Sequence, residues 1–220
     1  MPRQEVVHGL TDEMVRFEDL LRSVDGGQWH TPTRCEGWTV ADVAAHYVGT
    51  LADISAGRFD GLGTPAVTAR EVDERRGRSQ HELADELHQV AKVGTDIMSA
   101  IDEEAWAGPA PGDLGIAMGE GVEGMWYDAY VHGEDIRAAL GRPPEPGPGL
   151  RASVSHVADL LTQRAWGPAT LALDGLEEFP VSGGGAQRVT GDPLRFVEVA
   201  TGRRDPRELG LDEHVNVYRD

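Results

Sequence analysis

The chain has 220 residues, with 20 Lys+Arg against 38 Asp+Glu and a formal net charge of -18. Its 40% hydrophobic and 26% charged residues are ordinary globular usage, which excludes a wholly disordered or collagen-like chain. Such an acidic surface repels nucleic acid and anionic lipid, no apolar run approaches the ~20 residues of a membrane span, and MPRQEVVHGL has no secretory signature, so the expected setting is cytoplasmic, without nucleic acid or membrane as partner.

Leu10, Met14, Phe17, Leu21 and Val24 recur at helical spacing and predict a first helix over residues 6–24, stopped by Asp25-Gly26-Gly27. After the loop QWHTPTRCEGW, Thr39 is a good N-cap for a second helix with Val40, Val43, Tyr47, Leu51 and Ile54 on its buried face. Residues 57–78 are rich in Gly, Pro and charge and read as an exposed loop with room for a short helix. Ser79 and Glu82 make a capping box, opening a third helix that carries Leu83, Leu87, Val90, Val93, Ile97 and Ile101. A Gly- and Pro-rich connection over 107–119 leads to a fourth helix over 120–140, closed by Gly141 with Pro143 and Pro144 beyond. GRPPEPGPG is the strongest linker and divides the chain into a four-helix bundle, 1–145, and a smaller domain, 146–220.

In the smaller domain, Leu150, Val154, Val157 and Leu161 predict a helix to about residue 165. Short strands follow over 169–173, 179–181 and 187–190. Asp192-Pro193 opens a short helix through residue 199, and 214–218 reads as a final strand. The expected fold class is α+β: a helical bundle, then a small mixed α/β domain.

The fourth predicted helix carries the chemistry. Asp128 and His132 lie four residues apart on or beside the apolar stripe of Met125, Ala129, Ile136 and Leu140. A carboxylate and an imidazole facing a core need partners, and bundle-core metal sites are built from such inward-facing pairs. His46, flanking the buried face of the second helix among small alanines, is the candidate third ligand. Three ligands with a position left open is the form that catalytic zinc takes. The same spacing also suits a plain hydrogen-bonded Asp–His pair in a core. Glu134 and Asp135 point to other faces and read as solvated or paired with Arg137; His81 and His88 read as surface residues; His8, His30, His156 and His214 have no metal spacing. Cys35 is the single cysteine, expected as a small buried hydrophobe, and excludes a disulfide or a Cys-cluster site. There is no Gly-rich phosphate loop, no G-x-S-x-G and no HExxH.

The residues Trp29, Pro32-Thr33-Arg34-Cys35, Gly37-Trp38-Thr39-Val40 and Ala45-His46 resemble the opening signature of the mycothiol-dependent maleylpyruvate isomerase family. Asp128, His132 and the run from Gly133 to Gly141 resemble that family's metal helix. Val189-Thr190-Gly191-Asp192 and Thr201-Gly202-Arg203 resemble, less specifically, the sterol-carrier-like domain behind it. The resemblance implies a DinB-like four-helix bundle binding zinc or another divalent metal through two His and one Glu. Those positions fall on His46, Asp128 and His132, with Asp128 one methylene shorter than the family's Glu. It further implies mycothiol or a similar low-molecular-weight thiol as cofactor and a small electrophile as substrate, for isomerisation or S-transfer. Arg34 and Arg203 are the candidate catalytic anchors for anionic groups. Two other readings stay open: a metal-free binding or regulatory module on the same bundle, and a metal-dependent hydrolase of thiol conjugates.

Overall fold

A computed structural model describes residues 1–112, 114–185 and 187–219. The chain forms two compact units, Met1–Glu145 and Pro146–Asp220. The first holds six helices among the described residues: α1 (Arg3–Arg22), α2 (Val40–Ser55), α3 (Pro65–Glu74), α4 (Gln80–Ala100), α5 (Glu103–Ala107) and α6 (Met118–Ala139). Helix α1 packs on α4 and α6, and α2 packs on the same two, which closes a four-helix bundle.

The predicted stripe of α1 is its buried face, with Leu10, Met14, Phe17 and Leu21 inside, and Val24, just past its end, is buried too. Gly9 sets how close α6 comes: a Cβ there would sit 2.1 Å from the ring of Trp126. Thr39 caps α2 through a reciprocal box with Asp42, whose carboxylate accepts the Thr39 N–H at 2.9 Å. The loop before it is pinned by a bridge between Pro32 and Thr39 and by the Thr33 N–H donated to the Trp38 carbonyl at 2.8 Å. That turn holds Arg34 and Cys35 beside the bundle. Ser79 and Glu82 cap α4 as their spacing predicts.

Residues 57–78 hold more structure than an exposed loop with a short helix. Helix α3 has ten residues, starts at a Thr64 cap with Pro65 in its first turn, and buries Glu71 and Val72 against α2. Helix α5 is a short turn capped by Asp102, too brief to show an apolar period.

The second unit contains α7 (Pro148–Gln163), β1 (Ala169–Leu173), β2 (Phe179–Val181), β3 (Gln187–Gly191), α8 (Pro193–Ala200) and two 3-10 turns, Pro206–Leu209 and Glu213–Val215. Its sheet has the order β2-β1-β3, with β2 antiparallel and β3 parallel to β1, and Leu171 opposite both Phe179 and Val189. Helix α7 packs on α8 and β2. The predicted strand over 214–218 is not a strand. The Asp212 carboxylate accepts the His214 N–H at 3.0 Å and starts a 3-10 turn, and the Val217 N–H is donated to the Ala200 carbonyl at 2.8 Å. Val215 and Val217 are both buried, so the period-two pattern is met by a turn clamped to the end of α8. No helix among the described residues is long and apolar enough to cross a membrane.

Candidate metal centre

Helices α2 and α6 are neighbours in the bundle, and His46 on the first meets Asp128 and His132 on the second. One ligand atom from each lies within 4.8 Å of the other two. The His132 Nε2 is 3.3 Å from Asp128 Oδ1. The two imidazole rings stand edge to face, with centroids 5.3 Å apart and planes at 89°. Their side chains are 14% and 10% exposed, and Asp128 is 28% exposed at the rim. The shorter acid therefore already reaches the Nε2 side of His132, despite lacking the methylene of a glutamate.

The other nitrogen of each imidazole is occupied. His46 Nδ1 is 2.8 Å from Glu71 Oε2, on α3. His132 Nδ1 is 3.1 Å from Asp135 Oδ2, one turn further along α6. A carboxylate on Nδ1 favours the tautomer with its proton there and leaves the Nε2 lone pair free for a metal. Two imidazoles so oriented, with a carboxylate between them, suit the borderline-soft, tetrahedral chemistry of zinc.

Asp135 corrects an expectation. It is fully buried rather than solvated, and it is the hub of the α2 approach loop. Arg34 Nε donates to its Oδ1 at 2.6 Å, and the Cys35 thiol donates to its Oδ2 at 3.2 Å. Glu134, also buried, lies 3.6 Å from Arg137 and accepts the Glu145 N–H at 3.0 Å. Arg34 thus spends its charge inside the protein on Asp135. Cys35, His132 and Asp135 also lie close enough to share an ion, but the Arg34 guanidinium on that carboxylate opposes a cation there.

Burial works against a charge on His132, yet the neighbouring carboxylates of Asp128 and Asp135 outweigh it and hold the imidazole well above its usual basicity. The same negative field that attracts a proton attracts a metal ion. Beneath the site, burial, with the charges of Asp128 and Glu13, pushes the Tyr47 phenol well up, so it stays neutral. Arg203 belongs to the other unit, at the turn after α8, where its N–H is donated to the Glu198 carbonyl at 2.7 Å. It lines an open depression of about 740 Å³ with Arg204, Arg207, Arg219 and Asn216. The exposed positions of His81 and His88 agree with their reading as surface residues.

Cys35→Ser should keep full metal content and activity, because a hydroxyl can donate to Asp135 as the thiol does. Metal analysis and turnover of the variant check this, and a folded, metal-loaded protein without turnover would place the thiol in the chemistry.

Residues 10–137 match the family described as the mycothiol maleylpyruvate isomerase N-terminal domain. Two crystal structures, of a mycothiol-dependent maleylpyruvate isomerase and of a histidine-to-alanine mutant of it, share the fold at a TM-score of 0.66. Each is 18% identical, over 97% of this chain and 96% of the other. No curated protein matches the sequence.

Proposed function

Because the chain belongs to the family of the mycothiol maleylpyruvate isomerase N-terminal domain, we propose that it is a metal-dependent enzyme using mycothiol or a closely similar thiol to isomerise a small electrophile, or to join the whole thiol to it through its sulfur. The observation that carries this reading is the meeting of His46, Asp128 and His132 with both Nδ1 atoms already bound to carboxylates. A divalent ion held there, zinc by its donor set, supplies a Lewis-acidic position that keeps a thiol ionised near neutral pH.

Held by His46, Asp128 and His132, such an ion would keep net positive charge, would favour an anionic sulfur and would have room for it beside three protein donors. Cys35 is turned to Asp135, which agrees with a borrowed rather than a resident nucleophile. Asp128, at the rim, is the most exposed of the three side chains, which supports entry of thiol and substrate on its side.

Protein purified without chelator should carry close to one equivalent of zinc, and should isomerise a cis-enone acid such as maleylpyruvate only when mycothiol is added. Absence of bound metal after incubation with zinc would favour the metal-free binding module. Cleavage of a thiol conjugate without isomerisation would favour the hydrolase. Either result would overturn the proposal.

A further inference from the structure

We propose that Glu71 is the positioning residue of His46: its carboxylate, carried in by α3, fixes the imidazole so that Nε2 faces Asp128 and His132. This rests on the metal-site reading above.

Helix α3 is brought in by local chemistry. The Thr64 side chain accepts the Val67 N–H, and Pro65 starts the helix. The approach to α2 is permitted by Gly49, where a Cβ would lie 2.6 Å from the Cβ of Glu71. Arg75 holds the far end of α3, donating from Nη1 to the Glu71 carbonyl at 3.2 Å and from Nη2 to Glu86 at 2.6 Å. Its guanidinium hydrogen-bonds the Glu71 backbone rather than the carboxylate.

The Glu71 side chain is 1% exposed. Its Oε2 meets His46 Nδ1 at 2.8 Å and accepts from Thr50 Oγ1 at 3.2 Å, while Oε1 is buried without a hydrogen-bond partner. A carboxylate so deeply buried is costly unless its charge is used. Against an imidazole it does two things: it selects the tautomer protonated at Nδ1 and raises the donor strength of Nε2. The edge of Trp38, with its centroid 5.3 Å from that of His46, limits the ring's remaining freedom. Asp135 does the same for His132 from within α6, whereas Glu71 comes from a helix outside the four-helix bundle.

The test uses the full chain as wild type, Glu71→Gln and Glu71→Ala. It measures zinc affinity by competition with a chelating indicator, the cobalt(II) absorption spectrum, the His46 ring-nitrogen shifts of the metal-free protein, and thermal stability. Glu71→Ala should lower zinc affinity toward the upper end of the roughly 10–100-fold range for lost outer partners of a ligand, and should mix the His46 tautomers. Glu71→Gln keeps an acceptor oxygen but no charge, so it should keep the tautomer and lose about tenfold, near the lower end of that range. Native zinc affinity with an unchanged cobalt spectrum in both variants would overturn the proposal, even if both were less stable, since that is what a mere brace would show. Should Glu71→Ala fail to fold, unchanged affinity in Glu71→Gln overturns it alone. A wild type that binds no metal would sink the metal-site reading instead. In that case the ring-nitrogen shifts of the wild type and Glu71→Gln still decide this one: a neutral His46 with its proton on Nε2 and none on Nδ1 in the wild type overturns it.

Discussion

Asp128→Ala should abolish metal binding at the proposed site, whereas Asp128→Glu should retain it. Asp128 is the one anionic side chain among the three proposed ligands, with Oδ1 on the Nε2 side of His132 at 3.3 Å. Removing it leaves two neutral imidazoles, from helices that approach at fixed spacing, to hold a divalent ion alone. The loss should exceed the roughly 100-fold upper range expected for an outer partner of a ligand, and turnover should fall with it. Glutamate adds one methylene at a rim position that is 28% exposed, so the longer arm can bend outward without repacking the core. Metal per protein after dialysis, with indicator competition for both variants, is the measurement. Stoichiometric zinc at native affinity in Asp128→Ala would reduce Asp128 to a hydrogen-bond partner of His132.

Asp135→Ala should produce the largest loss of stability. The carboxylate is fully buried and satisfies three groups at once: Arg34 Nε, the Cys35 thiol and His132 Nδ1. Breaking a buried ionic partner leaves a desolvated charge behind and costs about 3–5 kcal/mol. The Arg34 side chain is 20% exposed and can recover some water, which puts the expectation near the lower end, about 3 kcal/mol. For a chain of this size that lowers the melting temperature by roughly 6–12 °C. Removing Arg34 as well should cost little more, because the two side chains act as one unit. Calorimetry of the single and double variants reads both effects. An Asp135→Ala protein as stable as wild type would show that water already screens the cluster.

The parts of this protein that follow a period were readable. Helices α1, α2 and α4 announce themselves by apolar spacing and by Thr39 and Ser79 caps, and the i, i+4 pair of Asp128 and His132 marks α6 as the chemical helix. Asp135 was misplaced because a stripe assumes one wet face. Helix α6 packs against α1 on one side and α2 on another, so its acids turn inward on more than one face: Glu134 lies near Arg137, and Asp135 is paired with Arg34, 101 residues away in sequence. Its position three residues after His132 was the available signal. Glu71 had none of that kind. Its helix buries little besides Val72, so no stripe forms, and its meeting with His46 depends on the missing side chain of Gly49. The ending of the chain misled in the opposite way: Val215 and Val217 alternate like a strand, but a 3-10 turn and the turn after it bury them.

The two imidazole supports differ in how far the chain must travel to build them. Asp135 lies three residues from His132 on one helix, so that contact is available as soon as α6 coils. Glu71 lies 25 residues from His46, beyond a segment with Gly57, Gly61 and Gly63 at positive φ. That contact exists only once the loop has closed and α3 has docked, which carries an ordering entropy that the local contact avoids. In refolding of the full chain, the contact within α6 should therefore be able to form before the one between α3 and α2, and until α3 docks His46 should lack the carboxylate that orients it.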